Sequence, residues 1–475
     1  MGKVLLVNSN TETAPYPVPP LGLCLVARRA SERYEVRVHD GVARGGDALA
    51  ELLASFAPDY VGVGVRNIDD VVMAAPAYFV DDIAEAFVRP IRSWGRAPLI
   101  LGGAGFSVFP QELLALYGAD YGIVGEGEEA FDALLGTLDR GGDPLAIPGV
   151  VARGGRGAPR PAQPCRGVLT LPESLIDAIV DYAPYRERGS YPVQTKRGCA
   201  HRCAYCAYPL IEGREYRLRD PGEVVDEIRA IRERLGDVSV EIVDSTFNDP
   251  AGHAEAICRE LARRELRVRL RTMGVNPAGV TDELVSLMRR AGFAQIDCTP
   301  DSGSPRVLAA LGKNFDRPRL ERAATILAAH EMPTMWFLVL GGPGETRDTI
   351  RETFDFVDRF VQPEDMAHVT TGVRIYPGTA LAALAADEGV VAPGQSLLRP
   401  AFYVSPALGR EALEAAVAEE IAQRPNCVPA AESTPDPEMI REALRLRAAL
   451  GLKEPMFRSL LRVRRRRLRS PRSPS

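Results

Sequence analysis

Three cysteines near the middle of the chain have a spacing suited to metal chemistry. Cys199, Cys203 and Cys206 form a C-x3-C-x2-C pattern within eight consecutive residues. Thiolates are the usual protein ligands of iron-sulfur clusters, and three on one loop can hold three irons of a 4Fe-4S cubane. The fourth iron is then open to chelate the amino and carboxylate groups of S-adenosylmethionine. The spacing therefore predicts these cysteines as metal ligands and catalytic residues.

Zinc is the alternative metal for such a loop, but it fits the spacing poorly. A structural zinc site usually has four protein ligands. His201 lies between two of the cysteines, which is an awkward position for a fourth ligand. The pattern favours the iron-sulfur cluster, because the remaining cysteines are single and distant: Cys24, Cys165, Cys258, Cys298 and Cys427.

The elements that must position the loop can be predicted from two runs of alternating apolar and amphipathic segments. Short apolar strands separated by helices are typical of parallel sheets, whose ligands bind beyond the carboxyl ends of the strands. Cys199 follows the first strand of the second run and is expected at such an end. The predicted strands are Val4–Val7, Glu35–His39, Tyr60–Val65, Leu99–Leu101 and Tyr121–Val124, then Pro192–Lys196, Ser239–Val243, Arg267–Thr272, Ala294–Thr299, Thr334–Leu340 and Val369–Ile375.

These runs predict an α/β protein with two main domains. The first run is interpreted as a doubly wound, Rossmann-like domain. The second is interpreted as a partial (β/α)6 barrel of the TIM type, because six units fall short of the eight that close a barrel. The predicted segments are 1–145 for the first domain, 146–188 for a linker, 189–390 for the barrel, 391–457 for a helical C-terminal region and 458–475 for a basic, disordered tail.

Composition and charge narrow the class of protein. Of the 475 residues, 46% are hydrophobic and 25% charged, which is ordinary for a globular protein and excludes wholesale disorder. The net charge of -5 combines eight arginines after Glu454 with an acidic remainder, which argues against nucleic acid as a general partner. No apolar run approaches the ~20 residues of a transmembrane helix. We expect a cytoplasmic protein.

The segments after the cysteine loop resemble, in order, those of the radical S-adenosylmethionine superfamily over roughly residues 190–390. Asp244–Asn248 follows the second strand, Asp301–Ser304 the fourth and Gly341–Glu345 the fifth, and Arg374–Thr379 closes the sixth. The resemblance implies S-adenosylmethionine as a cofactor. Tyr376, at the end of the sixth predicted strand, is a catalytic candidate for contact with substrate. The cofactor-binding residues that it implies are Tyr205, Asp244, Ser245, Asp301, Ser302, Gly341, Gly342 and Arg374.

The first domain resembles the cobalamin-binding domain of B12-dependent radical enzymes. The matching segments are Pro19–Leu23, Val61–Asn67, Gly102–Gly105 and Gly125–Glu128. The Asp-x-His-x-x-Gly motif that supplies histidine to cobalt in many cobalamin proteins is absent, so the resemblance implies a cobalt without a histidine below it. Arg66 could lie near that face, or it could bind a phosphate or carboxylate. The implied cobalamin-binding residues are Arg66, Asn67, Gly102, Gly103, Gly125, Glu126 and Gly127.

Together the two resemblances imply a cobalamin-dependent radical enzyme, a methyltransferase that moves a methyl group from S-adenosylmethionine through methylcobalamin to a carbon of a small molecule or natural product. The implied partners are that substrate and a low-potential electron donor such as flavodoxin or ferredoxin. Radical and polar methyl transfer both stay open. One alternative is cyclisation, rearrangement or lipid modification without net methyl transfer. Another is a non-catalytic cobalamin or cluster sensor that binds RNA through its basic tail.

Overall fold

The structure is a computed structural model that describes residues 1–155, 176–187, 189–432 and 434–469. Much of the predicted linker and the last six residues of the predicted tail therefore lie outside the described residues, as does Cys165. Among the described helices, none is both long enough and apolar enough to cross a membrane.

The N-terminal domain contains a six-stranded sheet with the strand order β2-β1-β3-β4-β5-β6. The first five strands run parallel, as predicted, and helices cover both faces, which is why a strand such as Val4–Val7 is buried throughout. The sixth strand runs antiparallel to β5 and lies in the predicted linker, so the sheet extends beyond residue 145. The strands are β1 Lys3–Asn8, β2 Glu35–Asp40, β3 Tyr60–Gly64, β4 Leu99–Gly102, β5 Tyr121–Ile123 and β6 Val150–Ala152; the helices are α1 Leu21–Ala30, α2 Gly41–Arg44, α3 Asp47–Phe56, α4 Phe79–Ile83, α5 Arg89–Trp94, α6 Ala104–Val108, α7 Pro110–Tyr117 and α8 Glu128–Asp139, with a π-helical turn at Ala84–Val88 and a 3-10 turn at Pro144–Ala146.

The second domain is built on a seven-stranded parallel sheet with the order β17-β14-β13-β12-β11-β10-β7. In the described part of the chain its edge strands do not pair, so the barrel is open. The strands are β7 Tyr191–Val193, β8 Lys196–Arg197, β9 Arg217–Leu218, β10 Ser239–Ile242, β11 Arg269–Val275, β12 Phe293–Asp301, β13 Thr334–Leu340, β14 Met366–Thr371, β15 Val373–Arg374, β16 Phe402–Tyr403 and β17 Cys427–Pro429; the helices are α9 Ala183–Arg186, α10 Tyr208–Glu212, α11 Pro221–Leu235, α12 His253–Arg263, α13 Asp282–Ala291, α14 Pro305–Ala310, α15 Arg317–Ala329, α16 Arg347–Phe360, α17 Ala380–Asp387, α18 Arg410–Ala422, α19 Pro437–Leu450 and α20 Met456–Arg469, with 3-10 turns at Ile176–Ala178, Pro277–Gly279 and Ala430–Glu432.

The barrel has one strand more than the six predicted. Cys427 begins β17, which pairs with β14 from a region predicted to be only helical. The sixth predicted strand also differs, because Gly372 adopts a positive φ of 72° and ends β14. The chain then continues as β15, which pairs antiparallel with β16 instead of extending the barrel. A three-residue strand beside prolines carries too little periodicity to be recognised in the sequence.

The C-terminal tail is helical through Arg469, and the prediction of disorder for that stretch was wrong. Phe457 and Leu461 of α20 are buried against Met366 and Val428. The apolar residues recur at helical spacing, but arginines surround them and hide the pattern. Four of these arginines form ion pairs with acids of the same chain: Arg458 with Asp365, Arg462 with Glu454, Arg464 with Glu432 and Arg467 with Glu442.

We expect Leu461→Ala to destabilise the docked helix, whereas Leu468→Ala should change little. Leu461 is 1% exposed and Leu468 is 62% exposed. Removing a buried leucine side chain typically costs about 2–5 kcal/mol, whereas exposed substitutions stay within about 0.5 kcal/mol. Urea unfolding monitored by circular dichroism measures both. Equal midpoints for the two variants would contradict the packing of α20.

Candidate active site between the two domains

The cysteine loop begins directly after β8 and is held by the backbone. Gly198 has a φ of 88°, and a Cβ there would lie 2.0 Å from the carbonyl oxygen of Glu215, so only glycine fits. The Cys199 N–H donates to the Gly213 carbonyl at 3.1 Å, and the Ala204 N–H donates to the Leu311 carbonyl at 2.9 Å. These bonds fix the loop at the carboxyl end of the barrel.

The three thiols of the loop suit a cubane cluster. All three are free, and among the described residues no three His, Cys, Asp or Glu side chains converge on one ion position. In a cubane each thiolate binds a different iron, so the thiols need to be spread. Burial raises the pKa of the Cys206 thiol to about 12, so metal binding must displace its proton. The pocket beside the thiols is also lined by Ser245, Thr246, Asn276 and Asn314.

Two predicted cofactor residues, Tyr205 and Asp301, bond to each other. The Tyr205 hydroxyl donates to the Asp301 carboxylate at 2.5 Å, and the Lys313 ammonium lies 2.8 Å from the same carboxylate. Burial disfavours the charged ammonium, but the nearby charges of Asp301 and Cys203 outweigh that effect and raise the pKa of Lys313. Asp301 therefore joins the cysteine loop to the end of β12.

Lys313 was missed in the sequence analysis, although the sequence contained a signal. Only four of the 58 basic residues are lysines. Two of the four, Lys196 and Lys313, have buried ammonium groups at this site. The compact ammonium of lysine suits a buried position beside a single carboxylate.

Asp244, predicted to contact S-adenosylmethionine, has its carboxylate occupied by the protein. It accepts the Thr195 N–H at 2.7 Å and the Thr195 hydroxyl, and it lies 3.5 Å from the Lys196 ammonium. The side chains of Asp244 and Lys196 are fully buried. Asp244 therefore anchors the segment that leads into the cysteine loop. The next residue, Ser245, lines the pocket beside the thiols.

Three other predicted residues are packed within the barrel. Ser302 is fully buried, shares a hydrogen bond with Thr353 at 3.1 Å and accepts the Ser304 N–H at 3.0 Å. Gly341 has a φ of 97°, and a Cβ there would lie 2.6 Å from the Leu413 side chain. A Cβ on Gly342 would lie 3.2 Å from the side chain of Leu311. These residues shape the turns around the site by close packing.

Arg374, also predicted to bind cofactor, joins the two domains. Its Nε lies 2.8 Å from the Asp69 carboxylate of the N-terminal domain, and both side chains are almost completely buried. Its other nitrogens donate to the carbonyls of Ile375 and Leu397. The guanidinium also lies 4.9 Å from the ring centroid of Tyr376. Tyr376 is thus placed at the domain interface.

Glu126 forms a second interdomain contact, next to the cysteine loop. Its carboxylate lies 3.0 Å from the Arg197 guanidinium and accepts a hydrogen bond from Arg217 at 2.9 Å. Glu128 also pairs with Arg197. The Glu126 and Arg197 side chains are each 7% exposed. Glu126, predicted to bind cobalamin, therefore ties the end of β5 to the residues that flank the cysteines.

Glycine-bearing loops at the carboxyl ends of β4 and β5 form an open ledge. A Cβ on Gly102 would meet no atom within 4 Å, whereas Gly103 adopts a φ of 98° against the Val65 carbonyl. Gly125 adopts a φ of 91° and donates its N–H to the Ser107 hydroxyl. Gly127 is the N-cap of α8 and lies beside Val26. Exposed backbone of this kind suits a broad, flat ligand such as a corrin.

The ledge and the cysteine loop face a common space. Helix α10, which follows the cysteines, packs against α6, which follows the ledge. Tyr208 of α10 is 53% exposed. Arg66 and Asn67 are exposed at the end of β3. The structure therefore brings the two predicted cofactor regions together.

Comparison with known proteins agrees with this geometry. Residues 193–357 match the Radical SAM superfamily, and residues 8–135 match the B12 binding domain. The chain is 27% identical to tryptophan 2-C-methyltransferase of Streptomyces laurentii, over 82% of this chain and 75% of that protein. The radical S-adenosylmethionine methyltransferase TsrM of Kitasatospora setae, solved with cobalamin and a [4Fe-4S] cluster, has a TM-score of 0.81 and 25% identity over 98% of this chain and 99% of that one. Its complex with tryptophan and a SAM analog has a TM-score of 0.82 and 26% identity, with full coverage of both chains.

A radical domain and a B12-binding domain in one chain, arranged as in a methyltransferase of the same architecture, define the class. The chain is a B12-dependent radical SAM enzyme, and its relatives support a role as a methyltransferase.

We expect Arg374→Met to destabilise the protein strongly, because it leaves Asp69 as a buried charge without its ion-pair partner. Breaking a buried pair typically costs about 3–5 kcal/mol. Arg399→Met is the matched control, since Arg399 pairs with Asp81 across the same interface but both side chains are mostly exposed, and such pairs contribute at most about 1 kcal/mol. Thermal unfolding of both variants measures the difference, and equal losses would contradict it.

Proposed function

We propose that this enzyme transfers a methyl group from S-adenosylmethionine to a carbon of a small molecule, with a 4Fe-4S cluster and cobalamin bound on opposite sides of the space between the domains. The observation that carries the proposal is the contact between α10 and α6. Because α10 follows the cysteines and α6 follows the ledge glycines, this contact supports a common space from which a substrate would reach both cofactors.

Some residues of the chain would hold the cofactors, and others position the loops that hold them. Cys199, Cys203 and Cys206 would hold the cluster, with Ser245 available to S-adenosylmethionine in the adjoining pocket. When bound, the cluster supplies electrons to S-adenosylmethionine and the cobalamin carries the methyl group. Asp301 holds the cysteine loop in place through Tyr205.

Several of the predicted cofactor residues act in our proposal as positioning residues. Their polar atoms already bond to the protein, so their part is to fix the loops that touch the cofactors. These residues are Asp244, Asp301, Ser302, Arg374 and Glu126.

On the cobalamin side, the ledge offers backbone at Gly102, Gly103, Gly125 and Gly127, and Arg66 offers a cation. The sequence carries no histidine motif for cobalt, and Arg66 is an exposed cation at the end of β3. Buried surroundings raise the pKa of Tyr376, so its hydroxyl stays protonated at neutral pH and can donate a hydrogen bond to substrate.

The proposal also names a substrate, an electron donor and a cellular location. Tryptophan is the first candidate substrate, because TsrM binds it in a structure of the same architecture. Reductive chemistry requires a low-potential donor such as flavodoxin or ferredoxin, and the reducing cytoplasm suits a chain whose described cysteines are all free thiols. Arginines of α20 form ion pairs with glutamates of the same chain, which disfavours the alternative of an RNA-binding sensor.

Alanine at any one of Cys199, Cys203 and Cys206 should abolish cluster binding, because each thiolate holds one iron. Cys298→Ala is the control, since Cys298 is buried in the barrel core and faces its helices. Iron and sulfide analysis after anaerobic reconstitution measures the effect. A cluster retained in all three loop variants would show that other ligands hold it.

Incubation with S-adenosylmethionine carrying a trideuterated methyl group tests the reaction. We expect the intact labelled methyl on a carbon of the product when tryptophan and a panel of small aromatic and amine metabolites are supplied with reductant and cobalamin. Consumption of S-adenosylmethionine without label in any product would favour the alternative without net methyl transfer.

A substitution in the ledge tests whether the ledge binds cobalamin, and the same assay measures its effect on methyl transfer. Gly102→Leu should lose cobalamin and methyl transfer, because its side chain would extend into the open space above the ledge, whereas Gly102→Ala should retain both. Cobalamin bound per chain, measured by absorbance, reports the difference. Full cobalamin binding by Gly102→Leu would place the corrin elsewhere.

A further inference from the structure

The strands of the barrel separate an apolar outer face from a polar inner face. Side chains alternate between the faces of a strand, and Val240, Ile242, Leu270, Ile296 and Trp336 belong to the core that packs against the helices. Their neighbours along the strands therefore face the interior of the barrel. The inner residues of these strands include Glu241, Arg271, Asp297, Phe337 and His368.

The single guanidinium of this inner group is already paired. The Arg271 guanidinium lies 2.9 Å from the Glu241 carboxylate. Tyr16, from the loop between β1 and α1, donates its hydroxyl to Glu241 at 3.3 Å, and its ring centroid lies 4.1 Å from the guanidinium. Arg271 is thus held between a carboxylate and an aromatic ring.

Asp297 is left without a cation. Its carboxylate accepts one hydrogen bond, from the Gln295 amide at 3.2 Å, and no described Lys, Arg or His lies within ion-pair distance of it. Asp297 is 9% exposed, and burial raises the pKa of its carboxyl to about 7 against the opposing charge of Arg271. Two carboxylates face one guanidinium, so ionisation of both leaves one buried negative charge uncompensated, which is costly without a partner.

The strand beside Asp297 carries uncharged inner residues: Met335 is the register partner of Asp297, and Phe337 follows at the next inward-facing position. The rings of Phe337 and His368 have centroids 5.0 Å apart. Burial lowers the pKa of His368 to about 4, so the imidazole is neutral, and its Nδ1 is buried with no hydrogen-bond partner in the described structure. Met273, two residues beyond Arg271 on the same face of β11, is 45% exposed. Open space therefore adjoins this part of the barrel interior.

We propose that the barrel interior binds the protonated amine of the substrate, with the Asp297 carboxylate pairing with the ammonium and with Phe337 and His368 packing against an apolar or aromatic body. This inference rests on the proposed function and names the substrate class as amine-bearing small molecules. The ammonium would supply the missing positive charge through a charge-assisted hydrogen bond. A carboxylate ligand in the same position would add to the uncompensated negative charge.

The test compares matched ligands on the full chain loaded with cluster and cobalamin, without reductant. Tryptamine and 2-phenylethylamine are the amine probes, and indole-3-propionate and 3-phenylpropionate are their acidic counterparts. We expect calorimetry to show binding of at least one amine to the unsubstituted enzyme and no binding of the acids. Asp297→Asn should weaken amine binding at least about tenfold, because it removes a hydrogen bond between charged groups.

Two controls separate binding from folding. Asp348→Asn, at an exposed ion pair on α16, should leave amine binding unchanged. Asp297→Asn should melt at a temperature no lower than the unsubstituted enzyme, because it removes an uncompensated buried carboxyl. A lower melting temperature for this variant would show that Asp297 serves the fold and would overturn the inference.

The remaining outcomes are equally decisive. Equal binding of amines and acids, amine binding that survives Asp297→Asn, or no binding of either amine would each overturn the inference. Because no methyl transfer occurs without reductant, amine binding in an enzyme that later fails to methylate would contradict the proposed function alone. Methylation by an enzyme that binds no amine would contradict the inference alone.

Discussion

Buried ion pairs between the two domains are the constraint on which the rest of this enzyme depends. Arg374 pairs with Asp69, and Arg197 pairs with Glu126 and Glu128. Each pair is shielded from water, so removing one partner leaves a costly buried charge. These contacts hold the carboxyl ends of the two sheets toward each other, and both cofactor regions lie at those ends.

The same constraint explains how the cysteine loop is fixed. Arg197 directly precedes Gly198 and the first cysteine. The ion pair between the domains therefore fixes the backbone at the start of the cysteine loop. Asp244 holds the preceding segment and Asp301 holds Tyr205 within the loop. Chemistry between two cofactors requires that reacting groups be oriented before reaction, and here buried carboxylates provide that orientation from several directions.

Much of the architecture could be predicted from local pattern. All five strands predicted for the first domain are confirmed, because buried parallel strands read as short apolar runs between helices. Strands β6 and β17 were missed because each has three residues and little periodicity. Helix α20 was missed because its acidic partners lie elsewhere in the chain, so a local excess of arginine gave a false impression of disorder.

By itself, the sequence determined the ligand chemistry, since the spacing of three cysteines after a strand depends only on neighbouring residues. It also determined the order of the glycine turns, whose backbone angles are local. Only the tertiary structure decided which charges meet. Arg374 and Asp69 are 305 residues apart, and within the described chain no cation pairs with Asp297, because Arg271 pairs with Glu241. Residue type shows that a side chain can pair, but packing alone selects its partner or leaves it without one.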